Sequence, residues 1–176
     1  MLAALQKESI KGLTLLDIGG GVGVIQHELL QNGLRQATHV DASAAYLVVA
    51  ETEAQRQGHA ERVSYHFGNF VDLAPELEAA DIITLDRAIC CYPDMAALVG
   101  LSAPKAKRLY GLVYPRDTWW MRLAGRLLNG LFWLQRTPYR FFVHPTARVE
   151  AIVLANGLTR YEYRQTFLWQ IAVYRR

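Results

Sequence analysis

The stretch Leu15–Gly23, LLDIGGGVG, decides the fold of this chain. It reads as the end of a buried strand, an acidic residue, a glycine-rich turn and a helix starting near Val22. Gly19, Gly21 and Gly23 alternate around Gly20. Such a backbone can turn sharply and lie against a ligand where any Cβ would clash. A pyrophosphate-binding loop, G-x-G-x-x-G, needs a third glycine to pack its helix on the strand. Here that position is Val24, and the carboxylate of Asp17 at the mouth of the strand would repel a pyrophosphate.

Working outward, the residues after the loop repeat one pattern. Ala37–Val40 is a short apolar run that ends in Asp41, 24 residues after Asp17. An acid at that distance past a glycine loop is placed to accept hydrogen bonds from ribose hydroxyls. Val63–Phe67 is the next strand-like run, followed by Gly68-Asn69-Phe70, and Asp81–Asp86 is a fourth, with an acid at its end. Glycine loop, Asp41, Asn69 and Asp86 therefore fall together on the carboxyl edge of the expected sheet, where open α/β sheets bind ligands.

The remaining elements follow from periodicity and punctuation. Leu2–Glu8 reads as a short helix and Leu13–Ile18 as the first strand. Gly23–Gln31 is a helix stopped by Asn32-Gly33, and Ser43 caps another through Gln57. Ala74–Ala79 reads as a loop or short helix, Asp94–Leu101 as a helix opened by Pro93, and Leu109–Tyr114 as a fifth strand. Asp117 is placed to cap a long helix from Trp119 to about Gln135. Pro145–Ala155 is a last helix, and Leu158–Thr166 with Trp169–Tyr174 forms a hairpin. The expected fold is α/β: a Rossmann-like, seven-stranded, mostly parallel sheet with helices on both faces and a C-terminal antiparallel hairpin. Residues 1–176 are expected to form a single domain.

The spelling D-x-G-x-G-x-G over Asp17–Gly23 resembles motif I of the class I S-adenosylmethionine-dependent methyltransferases. The resemblance implies S-adenosyl-L-methionine as cofactor and S-adenosyl-L-homocysteine as product. It places them at Asp17, Gly19, Gly20, Gly21, Gly23, Asp41, Ala42, Asn69, Phe70 and Asp86. Asp17 suits a ligand that carries an ammonium and a sulfonium. The family usually has an acid where this chain has Asn69, to accept from the adenine amino group; an amide oxygen can accept the same bond. Members also carry one or two helices before the first strand, and only about twelve residues precede Leu13 here. The lid is expected to be short or missing.

The acceptor side is less conventional. Amine methyltransferases carry an [Asn/Asp/Ser]-Pro-Pro-aromatic turn after the fourth strand, whereas this chain has Ile89-Cys90-Cys91-Tyr92-Pro93. Cys90 and Cys91 also lack the preceding proline of cysteine-nucleophile enzymes and read as small packing residues. The expected catalytic residues are Tyr92 and His144. The expected acceptor contacts are Arg87, Tyr92, Tyr114, Arg116, Trp119 and Trp120. Asp86 and Asp117 are placed like the paired acids of metal-assisted catechol methyltransferases, but the adjacent Arg87 and Arg116 would repel a divalent cation, and no metal is expected. The pieces LLDIGGGVGVIQHELL, LDRAICCYPD, LYGLVYPRDTWW and VYRR are similar to bacterial proteins grouped with magnesium-protoporphyrin O-methyltransferases. That similarity implies an apolar or planar acceptor with an oxygen nucleophile, held by Arg116, Arg122 and Arg140. The turn after the fourth strand departs from that group and leaves the acceptor open. A cofactor-binding regulator without turnover and an RNA methyltransferase are the alternatives.

Charge and apolarity are unevenly spread. Residues 1–100 hold six Lys/Arg and thirteen Asp/Glu; residues 101–176 hold thirteen Lys/Arg and three Asp/Glu. The helix over 119–135 is apolar on most sides, with arginines between. Such a helix needs a second surface: a flat substrate, a membrane interface, a second copy of the chain or a lid. An exposed apolar patch rimmed by Arg116, Arg122 or Arg140 is expected there, open to peripheral membrane contact or self-association. Nucleic acid is not an expected partner, since these basic residues interleave with tryptophan and leucine. No apolar run is long enough to span a membrane, and two adjacent free cysteines fit a reducing cytoplasm.

Overall fold

The computed structural model describes residues 1–176. Its centre is one seven-stranded sheet made of β1 (Thr14–Ile18), β2 (Gln36–Asp41), β3 (Val63–Phe67), β4 (Ala80–Asp86), β5 (Ala106–Pro115), β6 (Thr159–Gln165) and β7 (Trp169–Arg175). The order across the sheet is β3-β2-β1-β4-β5-β7-β6. The first five strands are parallel, and β7 runs antiparallel between β5 and β6. The chain thus starts at the middle of the sheet, winds out to β3, returns to β4 beside β1 and closes with the expected hairpin. The reversal between β1 and β4 opens a crevice at their carboxyl ends.

Helices cover both faces because adjacent strand residues point opposite ways. Leu16, Ile83, Tyr110 and Tyr174 pack in one core with α4 (Phe70–Leu73), α5 (Met95–Ser102) and α7 (Thr146–Ala155). Their neighbours Leu15, Ile82, Leu109 and Val173 pack in a second core with α1 (Leu2–Leu5) and α2 (Val24–Gln31). On that second face α3 (Ala44–Arg56) lies over β2 and β3, tied down by the Tyr65 hydroxyl donating to the Ala50 carbonyl at 3.1 Å. The sixth helix, α6 (Trp119–Leu134), buries only Met121 and Gly125.

Some boundaries move. α1 stops at Leu5 rather than Glu8, and β5 starts three residues early at Ala106. Residues 74–79, read as a loop or short helix, form a turn and loop, and an unexpected short helix precedes them at Phe70–Leu73, capped by Asn69. Asp117 does not cap α6. Thr118 does, its hydroxyl accepting from the Met121 N–H at 3.4 Å. The Asp117 carboxylate instead pairs with Arg122 at 2.6 Å and accepts from the Thr146 N–H at 3.4 Å. It thereby serves the start of α7, where Pro145 has no side-chain cap to offer.

Candidate active site

The glycine loop takes the left-handed turns its sequence requires, with Gly19, Gly21 and Gly23 at φ 65, 57 and 82°. Space is as restrictive as torsion. A Cβ on Gly19 would sit 2.7 Å from that of Ala88, which follows β4. A Cβ on Gly20 would sit 2.6 Å from the His39 ring and 2.7 Å from Asp17 Oδ2. The loop therefore lies flat on a floor formed by Asp17 and His39 and butts against the turn after β4.

Asp17 is fully buried in β1. Its Oδ1 accepts from the Thr84 hydroxyl at 2.7 Å, and its Oδ2 has no partner. Desolvation pushes this carboxyl up to about 7; Thr84 opposes the rise, while Asp86 and Asp41 add to it. An unpartnered buried carboxylate oxygen costs energy unless a donor arrives, and this one lies directly beneath Gly20. Asp41, at the end of β2, turns both oxygens to the backbone: Oδ2 accepts from the Gly21 N–H at 2.9 Å and Oδ1 from the Ser43 N–H at 2.8 Å. A carboxylate has about four acceptor positions, so these bonds leave room for hydroxyls. Ala42 follows it and is exposed. Asp86 ends β4 and pairs with Arg87 at 3.1 Å. Arg87 holds φ 58°, a conformation rare outside glycine.

Two of the expected cofactor positions also serve the fold. The Asn69 oxygen accepts from the Val71 N–H at 3.3 Å and caps α4, and its amide donates to Asp72 at 2.9 Å. The oxygen has a second acceptor position. The Phe70 side chain is buried in the core.

On the acceptor side, the turn Ile89–Cys91 is braced by a returning strap. The Phe142 N–H donates to the Cys90 carbonyl at 2.8 Å, and His144 Nε2 bonds the Tyr92 carbonyl at 2.9 Å while its ring stacks on Phe142. Burial lowers the His144 pKa. His144 thus ties the returning strap to the turn through Nε2. Tyr92 is half-buried against the core. Tyr114 is fully buried within β5, below the edge where it was expected. Arg116 turns toward the hairpin, donating to the Thr166 carbonyl at 3.4 Å. Trp120 stacks on Phe167, and Trp119 points outward, 76% exposed. Neither tryptophan joins the cluster of Asp17, Asp41 and Asp86. Of the acids placed for a metal, each is engaged by its own arginine, Asp86 by Arg87 and Asp117 by Arg122.

Two features of the site differ from the sequence reading: one was not read at all, and Cys91, read as a packing residue, is exposed. One is the polar layer under the glycine loop, where His39 Nδ1 bonds Gln26 Oε1 at 2.9 Å. Desolvation lowers the His39 pKa to about 4, so the ring stays neutral. A histidine and a glutamine in otherwise apolar positions were the available signal. The other is Cys91, exposed beside the buried Cys90, with the Tyr139 hydroxyl 3.1 Å from its sulfur. A groove of about 590 Å³ between α2 and α3, lined by Val24, His27, Val48 and Glu53 among others, contains none of the carboxyl-edge acids.

Residues 15–102 match the model of the methyltransferase domain family. The chain belongs to that family. The matched span holds the glycine loop, Asp41, Asn69 and Asp86, and the expected methyltransferase is borne out. The ubiquinone biosynthesis O-methyltransferase of Paramagnetospirillum magneticum is 31% identical over 97 residues, which are 55% of this chain and 37% of that protein. The chain thus matches well under half the length of this relative. Among solved structures, magnesium protoporphyrin IX methyltransferase from Synechocystis with bound S-adenosylhomocysteine superposes with a TM-score of 0.80 at 21% identity, covering 99% of this chain and 79% of that one. An O-methyltransferase family protein from Burkholderia thailandensis superposes at 0.79 and 18% identity, covering 100% and 55%. These likenesses bear out the Rossmann-like fold. No helix is long and apolar enough to cross a membrane.

Proposed function

We propose that this methyltransferase moves a methyl group from S-adenosylmethionine to an oxygen of a small apolar or planar acceptor. The observation that carries the reading is the unpartnered, buried Oδ2 of Asp17 beside a glycine loop that is bonded to Asp41. Asp17, Asp41 and Asp86 make the carboxyl edge anionic, which fits a cationic ligand. The cofactor supplies a methyl group that is already electrophilic on its sulfonium. Asp17 takes the ammonium end, Asp41 the ribose hydroxyls, and the glycine loop admits the ligand to backbone distance. The protein's remaining task is to hold the acceptor in line and exclude water. A carboxylate acceptor needs no base, which agrees with the bonding of His144 to the Tyr92 carbonyl. Oxygen as the acceptor atom is favoured by the relative named as a ubiquinone biosynthesis O-methyltransferase. Free Cys90 and Cys91 favour a reducing cytoplasm, and we read the 176 residues as one catalytic domain.

Calorimetric titration with S-adenosylmethionine, then assay of S-adenosylhomocysteine formation against planar phenols and carboxylates, tests the proposal. Micromolar binding with product formed on at least one acceptor is expected. Binding without turnover on any of them would assign the chain to a regulator, and absence of binding would overturn the cofactor assignment.

A further inference from the structure

The helix α6 is folded inside out. Its inner face buries Met121 and is otherwise held by small and polar residues: Gly125 lies against Phe141 and Val143, and Asn129 exchanges two 2.8 Å hydrogen bonds with the backbone of Phe141. Its outer face carries Trp119, Leu123, Leu127, Leu131 and Leu134, all exposed and spaced at one helical stripe. Trp133 is 72% exposed and Leu127 69%. The patch continues past the helix. Phe167 and Leu168, at the tip of the β6–β7 hairpin, are both exposed, and Phe167 stacks on Trp120 with centroids 5.1 Å apart. The Arg116 N–H donates to the Leu168 carbonyl at 3.0 Å and ties this tip to the end of β5. The result is a broad apolar platform on a helix about 24 Å long.

Apart from Asp117, which pairs with Arg122 at 2.6 Å, the charge along this platform is positive. From Thr118 to Val149 the chain contains Arg122, Arg126, Arg136, Arg140 and Arg148 and no Asp or Glu. Arg126, Arg136 and Arg148 are exposed. A second copy of the chain seated face to face would oppose Arg126, Arg136 and Arg148 with the same arginines and offer only Asp117, which is already paired with Arg122. An anionic lipid surface offers the reverse: headgroup charge for the arginines, acyl chains for the leucines, and the interfacial depth that tryptophan favours.

We propose that the outer face of α6, together with the Phe167-Leu168 tip, seats this protein on an anionic bilayer surface as a peripheral element. Because α6 starts directly after β5, docking there brings the carboxyl edge of the sheet close to the lipid, within reach of an acceptor dissolved in it. Docking itself is independent of methyl transfer; only the lipid-dissolved acceptor rests on the proposed function.

The test is co-sedimentation of the intact protein with vesicles of phosphatidylcholine alone and of phosphatidylcholine with 30% phosphatidylglycerol, at about 0.05 and 0.5 M salt. At low salt, binding to the anionic vesicles should exceed binding to the neutral ones at least tenfold and should weaken with salt. Leu127→Glu with Leu131→Glu should abolish it, and Arg126→Gln with Arg136→Gln should remove the anionic preference. Both pairs should keep S-adenosylmethionine affinity and melting temperature within error, which separates failure of docking from failure of the fold or of the cofactor site. Equal binding to both vesicles would overturn the proposal. So would vesicle-free dimerisation abolished by the Leu127 and Leu131 pair, salt-sensitive capture of RNA in place of vesicles, or a monomer that binds none of them.

Discussion

The Oδ2 of Asp41 accepts the backbone N–H of Gly21 at 2.9 Å. The end of β2 and the loop after β1 are therefore one hydrogen-bonded unit, with the Ser43 N–H on the other carboxylate oxygen. An acid expected to contact ribose also fixes the loop that receives the cofactor. One carboxylate thereby sets both halves of the pocket before any ligand arrives.

Asp41→Ala should accordingly do two things. It should weaken S-adenosylmethionine at least tenfold, because each hydrogen bond to a charged group is worth about 1.5–3 kcal/mol. It should also speed amide exchange at Gly21 in the free protein. Asp41→Asn keeps an acceptor for one of the two N–H groups, and its loss should be smaller. Calorimetry with hydrogen exchange reads both effects; unchanged affinity and unchanged exchange would remove Asp41 from the site.

Asp17 leads to a prediction about pH. Its carboxyl is pushed up to about 7 by burial, with Thr84 opposing and Asp86 and Asp41 assisting. A raised acid favours the protonated fold, so its contribution is fully present below pH 4 and lost as pH rises through 7. The penalty above pH 7 is on the order of 4 kcal/mol. Asp17→Asn should therefore raise the melting temperature at pH 8, by about 2–4 °C per kcal/mol recovered, while weakening the cofactor tenfold or more. The gain should shrink toward pH 4. His39 runs the other way: its pKa is lowered to about 4, so its contribution fades as pH falls from 6.5 through 4. Both proteins share that trend, and the difference between their melting curves isolates Asp17. A variant less stable than the parent at pH 8 would refute the assignment.

How much of this was legible follows from what each signal reports. Strand alternation and loop glycines are local, and they located all seven strands and the glycine loop. Side-chain direction at strand ends depends on neighbours absent from any local pattern. Asn69 illustrates it: read as an adenine acceptor, it also caps α4 through the same oxygen, a role set by the fold of Phe70–Leu73. Tyr114 lies only two residues from Arg116, yet it is fully buried, because β5 runs on to Pro115 and leaves only Arg116 beyond its end. His39 and Gln26 carried no motif, so the polar floor under Gly20 emerged only from the packing.

That floor separates two substitutions that look alike in the sequence. A Cβ on Gly20 meets the His39 ring at 2.6 Å and Asp17 Oδ2 at 2.7 Å, whereas one on Gly21 meets open space. Gly20→Ala should cost about 1–3 kcal/mol by overpacking and should abolish cofactor binding, because His39 or Asp17 must move. Gly21→Ala faces only its φ of 57°, a strain of about 1–2 kcal/mol, and leaves the floor intact. Denaturant melts and calorimetry on both variants check the contrast. Equal loss of binding in the two would show that loop torsion or contact of the new Cβ with the cofactor, rather than the floor, controls the site.

The last expectation concerns Cys91. Its thiol is lowered to about 6, first through the adjacent Cys90 thiol at 3.8 Å and then through the Tyr139 hydroxyl at 3.1 Å, against desolvation. The Cys90 S–H is also directed at the Arg87 carbonyl, 3.0 Å away, so Tyr139 is the firmer donor to a Cys91 thiolate. Cys91 is exposed and Cys90 buried, so alkylation by iodoacetamide should be confined to Cys91. Its rate should rise through a midpoint near pH 6, well below the ordinary thiol value of about 8.5. Tyr139→Phe should move that midpoint upward toward the ordinary value, and Cys90→Ala should move it less. A midpoint near 8.5 in the parent would refute the assignment, and a larger shift from Cys90→Ala than from Tyr139→Phe would transfer the dominant role to the neighbouring thiol.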